Sequence, residues 1–174
     1  MSTLTVQNIQ GSSSSSNTIN VASGHKITGA AGSIAAPGQV LQVVQQQSNT
    51  VFSTTSTSYV DTGFAASITP KFSSSKIYVI AGLNIYNNAT NGVSSTTLYR
   101  GGSRISDSAT YGHAYGYSNA GAHVHHHTFT YLDSPNTTSS TEYKIYISCV
   151  TNGGTLKLCV NNSSSTLTLM EIAQ

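Results

Sequence analysis

Between Lys76 and Tyr86 the residues Ile77, Val79, Ala81, Leu83 and Ile85 recur at a spacing of two. A period of two puts all five on one face of a pleated strand, whereas a helical face repeats every 3.6 residues. Tyr59 to Ile68 behaves alike, with Val60, Thr62, Phe64, Ala66 and Ile68 sharing a face. Further runs predict strands over Val40–Val44, Thr96–Arg100, Ser103–Ile105, Val124–Leu132, Glu142–Val150, Thr155–Val160 and Ser165–Ile172. Gly101-Gly102 supplies a two-residue hairpin signal between two of them. Short strands at this spacing, with Gly, Asn and Ser turns between, predict an all-β chain. The expected form is an antiparallel, jelly-roll-like β-sandwich with a short extended N-terminal segment.

What covers the outer faces follows from composition. Of 174 residues, 29 are Ser and 23 Thr, while Lys and Arg total 7 and Asp and Glu total 5. There are ten Tyr and no Trp. Polarity without charge suits strands whose outer face is Thr, Ser and Tyr. A net charge of +2 gives no basic stripe for nucleic acid or anionic lipid. No apolar run approaches the roughly 20 residues of a membrane-spanning helix. Met1-Ser2-Thr3-Leu4-Thr5-Val6 lacks the basic and apolar regions of a signal peptide. So little charge leaves outer surface to be hidden by association, and a homotrimer is expected.

Residues 1–37 differ from the rest. Leu4, Val6, Ile9, Ile19, Val21, Ile27 and Ile34 are too widely spaced to form a core, and Ser12 to Ser16 interrupt them. By composition this is a disordered leader. The alternation Thr18-Ile19-Asn20-Val21 favours a segment that docks on a scaffold or intertwines with other copies. Pro37-Gly38 marks the boundary, giving an attachment or shaft segment (1–37) and a knob domain (38–174).

A turn at Asn152-Gly153 would set Cys149 opposite Leu156, Ile147 opposite Leu158 and Ile145 opposite Val160, all apolar and all on one face. That register turns Cys149 inward and Cys159 outward. No disulfide is then expected, and no oxidising compartment is implied.

Catalytic patterns are sparse. Asp61-Thr62-Gly63 matches the triplet of aspartic proteases, but that chemistry needs two carboxylates sharing a proton, and Phe64 follows where a small residue is usual. A glycosidase pair would have to come from Asp61, Asp107, Asp133, Glu142 and Glu171. Asp133-Ser134-Pro135-Asn136 reads as a turn in which Asp133 caps its own loop. There is no Gly-x-Ser-x-Gly elbow. The chain is not expected to be an enzyme.

Two constellations suggest binding. His123, His125 and His127 share one strand face with Phe129 and Tyr131. One strand offering His at i and i+2 cannot complete a metal shell, but three chains around an axis, each giving such a pair, would present six imidazoles to an octahedral metal. Some trimeric phage fibre tips resemble this arrangement. A solvated polar strand, or neutral rings stacked at a contact, explains the cluster equally. No other cofactor is implied. Before it lies Tyr111-Gly112-His113-Ala114-Tyr115-Gly116-Tyr117, read as a long loop. Tyr111, His113, Tyr115 and Tyr117 are its candidate contacts with a receptor or partner.

The segment Ser56-Thr57-Ser58-Tyr59-Val60-Asp61-Thr62-Gly63-Phe64, then Ser67-Ile68-Thr69-Pro70 and Ser73-Ser74-Ser75-Lys76-Ile77-Tyr78-Val79, resembles a module of tailed-phage virion proteins. Those of marine and cyanobacterial phages are especially similar. Gly38-Gln39-Val40-Leu41-Gln42-Val43, Tyr131-Leu132-Asp133-Ser134-Pro135 and Leu167-Thr168-Leu169-Met170-Glu171-Ile172-Ala173 extend the likeness over about residues 33–174. The resemblance implies a location, the virion surface, rather than a chemistry. It implies a short fibre or capsid decoration whose partners are other capsid or tail proteins. A host-glycan-binding tail-fibre adhesin is the alternative, and a glycan-degrading enzyme a more distant one. The His run and the Tyr-rich stretch lie outside the shared pattern.

Overall fold

In the computed structural model, residues 21–29, 34–105, 110–150 and 154–174 are described. Ala35–Gln174 form one compact unit. Of the preceding 34 residues, Val21–Gly29 are exposed and turn at Gly24, where His25 N–H donates to the Ala22 carbonyl at 3.1 Å. The alternation at Thr18–Asn20 lies outside the described residues.

The strands are β1 (Val40–Ser48), β2 (Phe52–Thr54), β3 (Val60–Ile68), β4 (Lys76–Asn87), β5 (Gly92–Arg100) and β6 (Ser103–Arg104). They continue with β7 (Ala114–Ser118), β8 (His123–Asp133), β9 (Thr141–Cys149), β10 (Leu156–Leu158) and β11 (Ser165–Ile172). No helix occurs among the described residues. All ladders between these strands are antiparallel, and they make two sheets. The chain is all-β, as the alternation predicts. In the six-stranded sheet β4 pairs with β8 along its length, while β11 and β10 divide its other edge. β1 lies beyond β11, and β2 beyond β10. The five-stranded sheet runs β3-β9-β5, with β6 and β7 both on the far edge of β5.

The predicted inner face of β4 is the centre of the core: Ile77, Val79, Ala81, Leu83 and Ile85 are all at most 1% exposed. They pack with Ile145, Ile147, Leu98, Leu167 and Leu169. Full burial of aliphatic side chains of this size contributes about 1.5–3 kcal/mol each. The chain begins its first strand beside its last residues. Gly38 N–H donates to the Ala173 carbonyl (2.8 Å), and Ala173 N–H returns a bond to Gln39 (2.9 Å).

β3 carries a bulge. Its ladder to β9 passes from Asp61–Tyr146 to Ala65–Lys144, so four steps on one strand match two on the other. Gly63 takes φ +73°, a left-handed value that suits glycine, and its N–H donates to Asp61 Oδ1 at 2.8 Å. The protease-like triplet is therefore a local turn within a strand.

The expected 149–156 hairpin is corrected. β9 lies between β3 and β5, whereas β10 lies between β2 and β4 in the other sheet. Ile145, Ile147, Cys149, Leu156, Leu158 and Val160 are all buried. Their inward direction holds, but they are not ladder partners. The supposed turn at 152–153 lies outside the described residues. Cys159 is likewise corrected, being fully buried. β10 ends at Leu158, and Cys159 adopts φ +60° with Sγ 3.2 Å from both the Ser48 carbonyl and Ser165 Oγ. Both cysteines are free thiols.

Candidate functional site

The Tyr-rich stretch is a strand and its approach, not a loop. Gly112 sits at φ +60°, and a Cβ there would collide with the Thr96 carbonyl oxygen, so only glycine fits the crossing. His113 N–H then donates to Thr96 O at 2.9 Å, and β7 runs along β5 from Ala114–Thr96 to Ser118–Gly92. Alternation turns Tyr115 and Tyr117 outward, where they are 60% and 56% exposed, and Gly116 inward. Tyr111 is also exposed, its ring 4.8 Å from that of Tyr115. Tyr117 Oη donates to Asn91 Oδ1 at 3.1 Å.

More tyrosines continue this outer face. Tyr99 of β5 and Tyr146 of β9 stack with centroids 3.8 Å apart. The Tyr59 hydroxyl lies 2.6 Å from Ser95 Oγ and donates to the Thr110 carbonyl, and the Arg104 guanidinium sits 4.6 Å from its ring centroid. Lys144 lies 3.2 Å from Asp61 and 3.4 Å from Glu142. Of the four predicted contact residues, Tyr111, Tyr115 and Tyr117 stand on this face. His113 does not. Its ring turns inward, stacked 4.7 Å from Phe129 and edge-on 5.1 Å from Tyr131. Leu98 N–H donates to His113 Nδ1 at 3.3 Å, which leaves that nitrogen without a proton.

His123, His125 and His127 do share the inner face of β8 with Phe129 and Tyr131, as the spacing predicts. Their rings form a row, with centroids 4.5 Å and then 6.1 Å apart. His123 Nδ1 donates to the Gly121 carbonyl at 2.7 Å. His127 is 2% exposed, with Nε2 3.3 Å from Ser94 Oγ and Nδ1 3.2 Å from Thr96 Oγ1 on β5. Over His125 lies the backbone of Gly116, where a Cβ would come within 2.6 Å of the ring. Burial, with a smaller contribution from His125, pushes the His127 pKa down to about 4. Burial and then His123 lower that of His125. The row is thus interior. Outward positions on β8 belong to Val124, His126, Thr128, Thr130 and Leu132. No group of three His, Cys, Asp or Glu among the described residues is placed to hold a metal ion.

The carboxylates serve the fold. Asp133, expected to cap its own turn, is buried instead and accepts from Arg100 Nη1 at 2.7 and 2.6 Å and from Tyr143 Oη at 2.7 Å. Arg100 and Tyr143 are cross-strand partners on the opposite sheet, so this cluster ties the two layers. Burial first and Asp133 second push the Tyr143 hydroxyl's pKa well up. Glu171, fully buried, accepts from Gln42 Nε2 (2.6 Å) and from the N–H groups of Lys71 (2.7 Å) and Phe72 (3.3 Å). Burial alone would raise its pKa, but these bonds to the charged form hold it below the usual carboxylate value. Asp107 lies outside the described residues. Comparison with protein-family models and with curated proteins finds no match to this chain.

Proposed function

We propose that this chain is a non-enzymatic structural protein of a tailed-phage virion surface, a short fibre or capsid decoration. Its N-terminal segment would dock on the particle, and its jelly-roll-like β-sandwich would be displayed. The observation that carries the reading is the tyrosine-lined outer face of the five-stranded sheet, an exposed contact surface held on strands. Rigid aromatic rings with a polar tip offer large contact area at small entropic cost. The motifs of the virion-protein resemblance fall on the framework, in β1, β3, β4, the end of β8 and β11. Asp61, Asp133, Glu142 and Glu171 are all engaged in ion pairs or hydrogen bonds, which favours a binding role over hydrolysis.

A host-glycan-binding adhesin is the second reading, favoured by the exposure of Tyr115 and Tyr117, since tyrosine rings stack on sugar faces. Two measurements test the proposal. Immunogold labelling of purified particles from a phage that encodes this chain should decorate the capsid or tail, and absence of the chain from those particles overturns the virion role. Binding of the purified protein to host cells, lost in a Tyr115→Ala, Tyr117→Ala double variant, would select the adhesin reading.

A further inference from the structure

The other sheet also presents a distinctive outer face. Cross-strand register places Val43 of β1, Met170 of β11, Tyr78 of β4 and Leu132 of β8 in a single row across four strands. Beside it, Val40 and Ile172 pair at the end of β1. Val40, Val43 and Leu132 are 46%, 56% and 54% exposed, and the other three are partly so. Alternation explains why they point out: their neighbours Leu169, Glu171, Ile77, Val79 and Asp133 are buried. Along the strands the next two rows are Gln45-Thr168-Ile80-Thr130 and Gln47-Thr166-Gly82-Thr128. None of these positions carries a charge. Lys76, at the margin, is turned to Ser134, with Nζ 2.6 Å from Oγ.

We infer that this face is covered by a second copy of the same chain. An uncharged face that joins an apolar row to rows of amides and hydroxyls has the composition of a protein–protein contact. Beyond Lys76 at its margin it holds no charge to match a charged macromolecule, and one lysine is no basic rim to meet an anionic membrane. The row is also self-complementary. A two-fold axis lying in the interface, parallel to the strands and between β11 and β4, sets Met170 over the partner copy's Tyr78 and Val43 over its Leu132. Sulfur meets an aromatic ring, and aliphatic meets aliphatic. Four strands by seven residues project roughly 450–500 Å², and the ridged side-chain surface is larger, on the order of the ~800 Å² per partner of a stable interface.

This inference stands apart from the virion role, and from the trimer expected of the leader. Its test is the mass of the purified full-length protein by light scattering, with circular dichroism as the check of fold. The expected result is an even number of copies, halved in a folded Val43→Lys, Leu132→Lys variant and unchanged in the Tyr115→Ala, Tyr117→Ala variant. A second variant, Val43→Cys with Leu132→Cys, should crosslink copies when treated with a short bismaleimide that bridges facing sheets about 10 Å apart, while either single change should not. Within one chain those positions are three strand spacings apart, about 14 Å, and lie on one face, beyond the reach of so short a reagent. A wild-type monomer at micromolar concentration overturns the inference. So does an assembly whose mass the lysine variant leaves unchanged, or a folded double-cysteine variant that does not crosslink.

Discussion

Acid should weaken this fold through His127 before it reaches the carboxylates. In the unfolded chain a histidine titrates near 6.5, whereas His127 in the fold is held near 4 by burial. Between those values the unfolded state binds a proton that the native state refuses. Stability is therefore complete above about pH 6.5 and is lost as pH falls towards 4. The difference corresponds to about 3 kcal/mol in all, of which about 2 kcal/mol disappears between pH 6.5 and 5. His125, lowered by burial and by His123, adds a smaller loss of the same sign. Glu171 acts lower: its depressed pKa gives stability that is present above its unfolded value and lost only as pH falls through the folded one. The interval from pH 6.5 to 5 thus isolates the histidines. Urea unfolding by circular dichroism at a series of pH values measures the slope. His127→Gln keeps a polar group opposite Ser94 and Thr96 without a proton to gain. It should cost about 1–2 kcal/mol at pH 7 and flatten the acid slope. An unchanged slope in that variant, or a wild-type protein equally stable at pH 5 and 7, refutes the reasoning.

Two further outcomes are expected. Tyr143→Phe removes a fully buried donor to the Asp133 carboxylate and should lower the stability measured by chemical denaturation by about 1.5–3 kcal/mol. Cys149 and Cys159 are both fully buried, so a thiol reagent should label neither in the native state and both together on unfolding; prompt native labelling of Cys159 would contradict its placement.

The inner faces were legible because period two reports which way a side chain points. Ile77 through Ile85 needed nothing more. The same signal says nothing about which strand lies alongside. Ile145, Ile147 and Cys149 fitted a hairpin with Leu156, Leu158 and Val160 only because all six point into one core from opposite sheets. Cys159 escaped the pattern where the strand ends. The Asn161 and Asn162 that follow it also take positive φ, 54° and 58°, a residue type that tolerates such turns. β7 was hidden by Gly112 before it and Gly116 within it, although Tyr115 and Tyr117 alternate about Gly116, the residue whose missing side chain leaves room for His125. The Arg100–Asp133–Tyr143 cluster joins residues 33 and 10 positions apart, and no local motif announces it.

The knot around Glu171 has a mechanical consequence. Gln42 near the start of β1 bonds Glu171 and, through the same amide, the Thr69 carbonyl at 2.7 Å. Tension that enters the domain from its N-terminal side along the strand axis meets the Gly38 and Gln39 bonds to Ala173 and then this fastening. Behind it, β1 is registered against β11 through eight cross-strand pairs. With the far end of the sandwich held, force in that direction loads those pairs in shear, all at once, instead of peeling them singly. Because the bonds to Glu171 are strongest when it is ionised, and its pKa lies below the ordinary carboxylate value, the fastening keeps its grip in mild acid, where the histidine row has already begun to yield.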